Sequence, residues 1–331
     1  MNEWKAVVGV DVSKEEVSVA ILGKEKEIEF SCKNSSLVFE KKVSKILKGI
    51  DKSNILVIME NTGNYHLKLS CHLYECGYSV SVVNPFVIKK YSEMKMKRAK
   101  TDKADAKIIA NYGRYEEELK MFTPKSDVQY KIEIKLKAIE DFQKAINIFG
   151  NQMNALKNYP VCTPELVNPY RKTIENLKKQ IKKLEDEIKS LVSDNFSEDI
   201  EILKSIPGVG KRLSAAIVSM LSSFKSFETG RQVTSFVGIC PSPYQSGTSV
   251  NKRGRISKKG NAYLRKLLYL CALSASKHNE GCRLFYQRLR QKGKESSVAL
   301  IAVANKLIRI CFACLKNRTF YDKNYYSYME A

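Results

Sequence analysis

Four acidic residues stand in surroundings that single them out. Asp11 closes Val-Val-Gly-Val-Asp, Glu60 closes Ile-Leu-Val-Ile-Met-Glu, and Asp102 and Asp105 lie in Thr-Asp-Lys-Ala-Asp-Ala. The first two each end a short apolar run rich in β-branched residues, and in open α/β sheets ligands and catalytic groups gather at the carboxyl ends of strands. The last two are three apart in a helix-forming stretch, so they share a helix face and could reach one ion together. Hard oxygen donors of this kind suit Mg²⁺, which shares its coordination sphere with substrate phosphates. One or two such ions, about 4 Å apart if two, would stabilise the attacking and leaving oxygens of a phosphodiester exchange.

That exchange also needs a nucleophile. Water attack leaves a nick, whereas attack by a protein hydroxyl keeps the broken end joined to protein, ready to be passed to another strand without a separate energy source. Ser246, within Pro241-Ser242-Pro243-Tyr244-Gln245-Ser246-Gly247-Thr248-Ser249, is the best such hydroxyl. Gly247 tolerates close approach of a DNA backbone, and basic groups on both sides would hold phosphates. On composition alone an ordinary Ser-Gly turn is the commoner reading.

Around these residues the charge is one-sided. No acidic residue occurs from Arg231 through Asn279, a segment that holds Lys252, Arg253, Arg255, Lys258, Lys259 and Arg265. A solvated face normally mixes signs, so this segment reads as a phosphate-facing surface. Lys95, Lys97, Arg98, Lys100 and Lys103 surround the aspartate pair and read as nucleic-acid contacts beside the metals. Ser205-Ile206-Pro207-Gly208-Val209-Gly210-Lys211 resembles a helix-hairpin-helix turn, in which Gly208, Gly210 and Lys211 would approach a DNA phosphate. The plainer alternative is a helix turn with glycine caps.

The elements that must position these groups follow from periodicity. Lys5–Val10, Val17–Leu22 and Lys26–Phe30 read as an antiparallel start. A helix over Leu37–Leu47, a strand over Ile55–Met59, a helix over Tyr65–Cys76 and a strand over Ser79–Val83 come next. This is the order of a ribonuclease H-like α/β domain, and by analogy with that fold the first and fourth strands are neighbours, bringing Asp11 to Glu60. From Ile174 a seam of Ile174, Leu177, Ile181, Leu184, Ile188 and Leu191 alternates steps of three and four, as a coiled coil does. The prolines between Tyr159-Pro160 and Asn168-Pro169 are expected to break the helix at the tip of two antiparallel arms. An internal hairpin and a dimer seam fit equally.

At 331 residues with 44% hydrophobic content the chain can build at least two cores. A formal net charge of +22 points to a polyanionic partner, nucleic acid before membrane. Val298 to Ala304, stopped by Asn305 and Lys306, is too short to span a bilayer. Nine cysteines without a framework or a signal-peptide pattern suggest reduced thiols in the cytoplasm, and Cys311 and Cys314 sit in an apolar helix. His66 and His72 read as structural, and Tyr321, Tyr325, Tyr326 and Tyr328 as a frayed tail before a base-stacking one.

Gly-Val-Asp-Val-Ser-Lys, Met-Glu-Asn-Thr-Gly-Asn-Tyr, Val-Asn-Pro and Thr-Asp-Lys-Ala-Asp-Ala resemble the DEDD transposases of insertion-sequence family one-ten. So do the later blocks Ile-Pro-Gly-Val-Gly, Phe-Val-Gly-Ile-Cys-Pro, Gln-Ser-Gly-Thr-Ser and Ile-Ser-Lys-Lys-Gly-Asn-Ala-Tyr-Leu-Arg-Lys. The resemblance runs in the family's order from about Val7 to about Leu315. It implies a RuvC-like DEDD catalytic domain over 1–125, a helical coiled-coil arm over 126–200, a mainly α C-terminal transposase domain with the nucleophilic serine over 201–318, and a tail over 319–331. It implies Mg²⁺ held by Asp11, Glu60, Asp102 and Asp105, a covalent phosphoserine at Ser246, and insertion and excision of the protein's own element. Donor and target DNA and a noncoding bridge RNA are the implied partners, and a homo-oligomer from dimer to tetramer, acting at the prokaryotic nucleoid, is the implied assembly. Two other readings remain: a Mg²⁺-dependent endonuclease that cuts branched DNA by water attack, and a non-catalytic nucleic-acid-binding scaffold.

Overall fold

A computed structural model describes residues 4–23, 27–61, 63–95, 102–246, 250–258 and 260–323, with the backbone alone at 102–103, 242–246 and 250–255. The chain divides into two compact units, Met1–Pro124 and Lys125–Ala331.

The first unit is built on five strands: β1 (Ala6–Val12), β2 (Glu16–Leu22), β3 (Glu27–Lys33), β4 (Ile55–Glu60) and β5 (Ser79–Val83). They lie in the order β3-β2-β1-β4-β5, with β1, β2 and β3 antiparallel and β4 and β5 parallel to β1. The antiparallel start and the contact between first and fourth strands are therefore those expected of a ribonuclease H-like order. Ser13 sets the first turn, its hydroxyl donating to the Glu16 carbonyl at 2.7 Å and accepting from the Glu16 N–H at 3.2 Å.

Strands β1 and β4 are apolar on both sides because both faces are covered. Val8, Val10, Val57 and Met59 pack with Phe39 and Val43 of α1 (Ser36–Ile46) and with Leu69 and Leu73 of α2 (Leu67–Glu75). Val7, Leu56 and Ile58 face the other way, against Ile88 of α3 (Pro85–Met94) and Ala106, Ile109 and Ala110 of α4 (Asp102–Tyr115). Asn84 caps α3 by accepting the Phe86 N–H at 2.9 Å, with Pro85 in the first turn, where its missing N–H is harmless.

The second unit is mostly helical: α5 (Asp127–Leu156), α6 (Pro164–Lys204), α7 (Lys211–Met220), α8 (Gly230–Val237), a hairpin of β6 (Pro241–Ser246) and β7 (Val250–Ile256), then α9 (Ala262–His278), α10 (Glu280–Gln291) and α11 (Ser296–Asn317). Lys135 pairs with Glu187 and the Phe149 ring meets Tyr170, so α5 and α6 run antiparallel. Ile181 and Ile188 share one core with Ile132, Leu136 and Ile139 of α5, and that core continues to Leu213, Leu264 and Leu307. Helix α6 is kinked at Phe196, whose φ is −140°.

Three expectations need correction. The helix does break in the expected stretch, at 157–163 between α5 and α6, but Pro169 takes no part in the break; it sits inside α6, which begins at Pro164, near enough to the first turn that few helical bonds are lost. The apolar run in the C-terminal region does not stop at Lys306. Helix α11 is long and apolar enough by length and composition to cross a membrane, yet half of that stretch is buried in this unit, as in the core helix of a soluble protein. Tyr321 is not frayed: it packs on the core, its hydroxyl donates to Asn279 Oδ1 at 3.0 Å, and its N–H donates to Ser205 Oγ at 2.9 Å. Tyr325, Tyr326 and Tyr328 lie outside the described residues.

Candidate active site

Strand register places the first two carboxylates. The parallel ladder of β1 and β4 ends at Val10 opposite Met59, so the next residues on the two neighbouring strands are Asp11 and Glu60. Alternation fixes their side: Val10 and Met59 belong to the α1–α2 face, so Asp11 and Glu60 lie on the face covered by α4. Both are half-buried.

Helix α4 brings the other two. A Cβ at Gly9 would run into the Ala106 carbonyl and stand 2.7 Å from Ala110 Cα, so α4 rests directly on the β1 backbone. Gly9 is two residues, about 7 Å of strand, from Asp11. Asp105 immediately precedes Ala106, and Asp102 begins the helix one turn earlier. The backbone thus gathers three carboxylate-bearing positions and the start of α4 at one sheet edge. Only the backbone of Asp102 is described, and among the described residues no three His, Cys, Asp or Glu side chains already converge to metal-holding spacing.

Sequence reasoning passed over Gly9. Its signal was the glycine inside an otherwise branched strand together with Ala106 and Ala110 four apart on one helix face, a pairing that announces close approach of backbones.

Ser246 ends β6 opposite Val250 of β7, on a hairpin with a register shift between Ser242 and Tyr244. The hairpin's root is fixed by backbone bonds from Ser257 N–H to the Cys240 carbonyl at 3.1 Å and from Lys258 N–H to the Gly238 carbonyl at 3.2 Å. Arg265 braces the same root, one guanidinium nitrogen donating to the carbonyls of Val237 at 3.1 Å and Gly260 at 2.7 Å. Lys252, Arg253 and Arg255 lie on β7, and Lys258 is exposed beyond it with a left-handed φ of 53°.

At the helix-hairpin-helix-like turn, Gly208 has φ +97°, and a Cβ there would stand 2.6 Å from that of Ala275. Packing against α9 therefore requires this glycine. Gly210 caps α7 without a side-chain bond, and Lys211, the first residue of that helix, is exposed. Lys95 follows α3, its ammonium 5.6 Å from the Tyr91 ring and 5.7 Å from the Tyr115 ring. Lys103 is described by backbone alone, and Lys97, Arg98, Lys100 and Lys259 lie outside the described residues.

The groups set aside as structural behave so. Burial pushes the Cys311 and Cys314 thiols up, which suits core residues. His66 is 4% exposed, and burial pushes its imidazole down. His72 Nε2 lies 3.6 Å from Cys76 Sγ.

Residues 8–156 match the family model of DEDD transposases of IS110 type, and residues 200–287 match that of the transposase IS116/IS110/IS902 family. The chain is 29% identical over 273 residues to the pilin gene-inverting protein of Moraxella bovis, covering 82% of this chain and 83% of that protein. It is 25% identical over 305 residues to the transposase for insertion sequence element IS1328 of Yersinia enterocolitica, covering 81% and 86%. The structure of T. thermophilus RuvC in complex with a Holliday junction substrate overlaps 35% of this chain and 99% of that one at 15% identity and TM-score 0.27, a likeness too loose to argue from.

Proposed function

Because the chain belongs to the DEDD transposases of the IS110 family, and so to the enzymes of DNA transposition, we propose that it cleaves and rejoins DNA through Ser246 to insert and excise its own element, guided by a bridge RNA. The observation that carries the reading is the register that makes Asp11 and Glu60 neighbours under the helix bearing Asp102 and Asp105.

Carboxylate oxygens are the donors Mg²⁺ prefers, so the ion fits this set and would be held by Asp11, Glu60, Asp102 and Asp105. Bound there, it would neutralise charge on the phosphate under exchange. Ser246 Oγ attacks phosphorus and forms a phosphoserine ester while the bond to the leaving sugar oxygen breaks. The serine proton is lost and the leaving oxygen gains one. A sugar hydroxyl of the new partner strand then displaces the serine, so bond number is conserved and rejoining needs no outside energy.

In this reading residues 1–125 supply the carboxylates, 126–200 the oligomerising arm, and 201–318 the serine with its basic surroundings. Lys95, Lys211, Lys252, Arg253, Arg255 and Lys258 meet the backbones of DNA and RNA, while base pairing by the guide chooses sequence. Arg265 also holds the hairpin root through one guanidinium nitrogen. Several copies assemble around donor and target DNA.

A joining assay with donor DNA, target DNA, the element's RNA and Mg²⁺ tests this. Joined product is expected only when all four are present. Joining without RNA would remove the guide, and cutting without joining would favour the endonuclease.

A further inference from the structure

A groove of about 1100 Å³ in the second unit is lined by α11, by Phe285 and Arg288 of α10, and by Pro241 and Ile256, which pair across the base of the serine hairpin. Its wall is apolar and open to water: Val298 is 52% and Phe320 62% exposed. Helix α11 is thus apolar on two sides for two reasons, one side being core and the other groove wall. Exposed apolar surface of this kind marks a binding site.

The cations of the groove lie against rings and backbone, and Lys306 Nζ also donates to the Gly281 carbonyl at 2.9 Å. The Arg288 guanidinium lies 5.4 Å from the Phe285 ring centroid and the Lys306 ammonium 5.1 Å from it. The stem of Arg309 occupies the space beside Gly230, 3.3 Å from where a Cβ would stand. Among the described residues neither Arg288 nor Arg309 makes an ion pair, and the one acid in the lining is Asp322. Both side chains are exposed, so their guanidinium groups are open to an anion, which is favoured over a neutral partner.

Aromatic wall and exposed arginines together suit a strand whose bases are unpaired, since bases can stack while phosphates meet the guanidinium groups. A duplex offers phosphates but hides its bases. The distance along β6 from Pro241 to Ser246 is about 17 Å, the span of about five stacked nucleotides. We propose that this groove binds a single-stranded DNA segment next to the strand end held at Ser246, with bases on Phe320 and phosphates on Arg288 and Arg309. The link to Ser246 rests on the proposed function; the binding itself does not.

The test is fluorescence anisotropy of the full chain with a short labelled oligodeoxyribonucleotide, its duplex, and the oligoribonucleotide of the same sequence. Arg288→Ala with Arg309→Ala is expected to weaken single-strand binding at least about tenfold and to lower the slope of log K against log salt by about 1.4, from two lost phosphate contacts. Phe320→Ala is expected to weaken it about five- to tenfold with the slope unchanged. Duplex affinity is expected to stay within about twofold. Equal losses on single strand and duplex, or tighter binding of the RNA, would overturn the proposal. So would a change of oligomeric state on size exclusion with single-strand affinity intact, which would make the groove an interface between copies. Ser246→Ala is expected to bind the oligonucleotide as wild type does, so a failure of the serine chemistry leaves this result readable.

Discussion

Gly9 of β1 and Ala106 of α4 meet backbone to backbone, leaving no room for a side chain at Gly9. That contact ties the strand carrying Asp11 to the helix carrying Asp102 and Asp105. Gly9→Ala is expected to lift α4 off the sheet. Overpacking of this kind costs about 1–3 kcal/mol, and Mg²⁺-dependent DNA cleavage should fall more than about tenfold because misplacement near 1 Å is enough to do so. Urea unfolding and a cleavage assay check the two effects, and wild-type cleavage in a folded Gly9→Ala variant would count against the placement of α4.

Neutralising a carboxylate separates metal binding from folding. Mg²⁺ is expected to raise the unfolding midpoint of the wild-type protein, as any ligand of the native state does. In Asp11→Asn and Glu60→Gln that increment should vanish, and cleavage should drop by about 10²–10³-fold. Differential scanning fluorimetry with and without Mg²⁺ reads the first effect directly.

The second unit stores strain beside its α6 kink. Ser222, Ser223 and Phe224 have φ of 46°, 51° and 63°, three successive non-glycine residues in the left-handed region. Each costs about 1–2 kcal/mol. Phe224 is buried, and Ser223 donates to the buried Asp199 carboxylate, which also accepts from Arg318. Arg318→Ala removes the cation from Asp199 and is expected to cost about 1–3 kcal/mol in urea unfolding. A loss under about 0.5 kcal/mol, the range of ordinary surface changes, would show the network to be incidental.

His66 gives the first unit a pH dependence. Burial holds its imidazole below the ordinary range, and Nδ1 has no hydrogen-bond partner among the described residues. As pH falls through about 6.5, the unfolded chain takes up a proton that the folded one resists, so stability should fall by up to about 1.4 kcal/mol per pH unit below that point. His66→Phe should flatten this part of the curve in unfolding midpoints taken between about pH 7.5 and 5.5.

The first unit was largely legible because its strands are short, branched and bounded by Ser13, Gly77 and Asn84-Pro85. The neighbouring of Asp11 and Glu60 came from fold analogy, and the ladder supplies it independently. The break between α5 and α6 was legible from its prolines, but not its far bound: a proline's position relative to the helix start decides whether it breaks the helix, and that start is Pro164. The bracing role of Arg265 was not legible because its two carbonyl acceptors come from residues 28 and 5 positions away in the chain. The arginines of the α11 groove were missed for a related reason: they are scattered among apolar residues, and only packing aligns them.

A serine nucleophile is the central claim of the proposed chemistry. Purified protein incubated with the element's RNA, labelled donor and target DNA and Mg²⁺ is run on a denaturing gel beside Ser246→Ala. A protein–DNA adduct that survives denaturation in the wild type and is missing from the variant is the expected result. Cleavage without an adduct, undiminished in Ser246→Ala, would contradict it and leave a metal-dependent endonuclease.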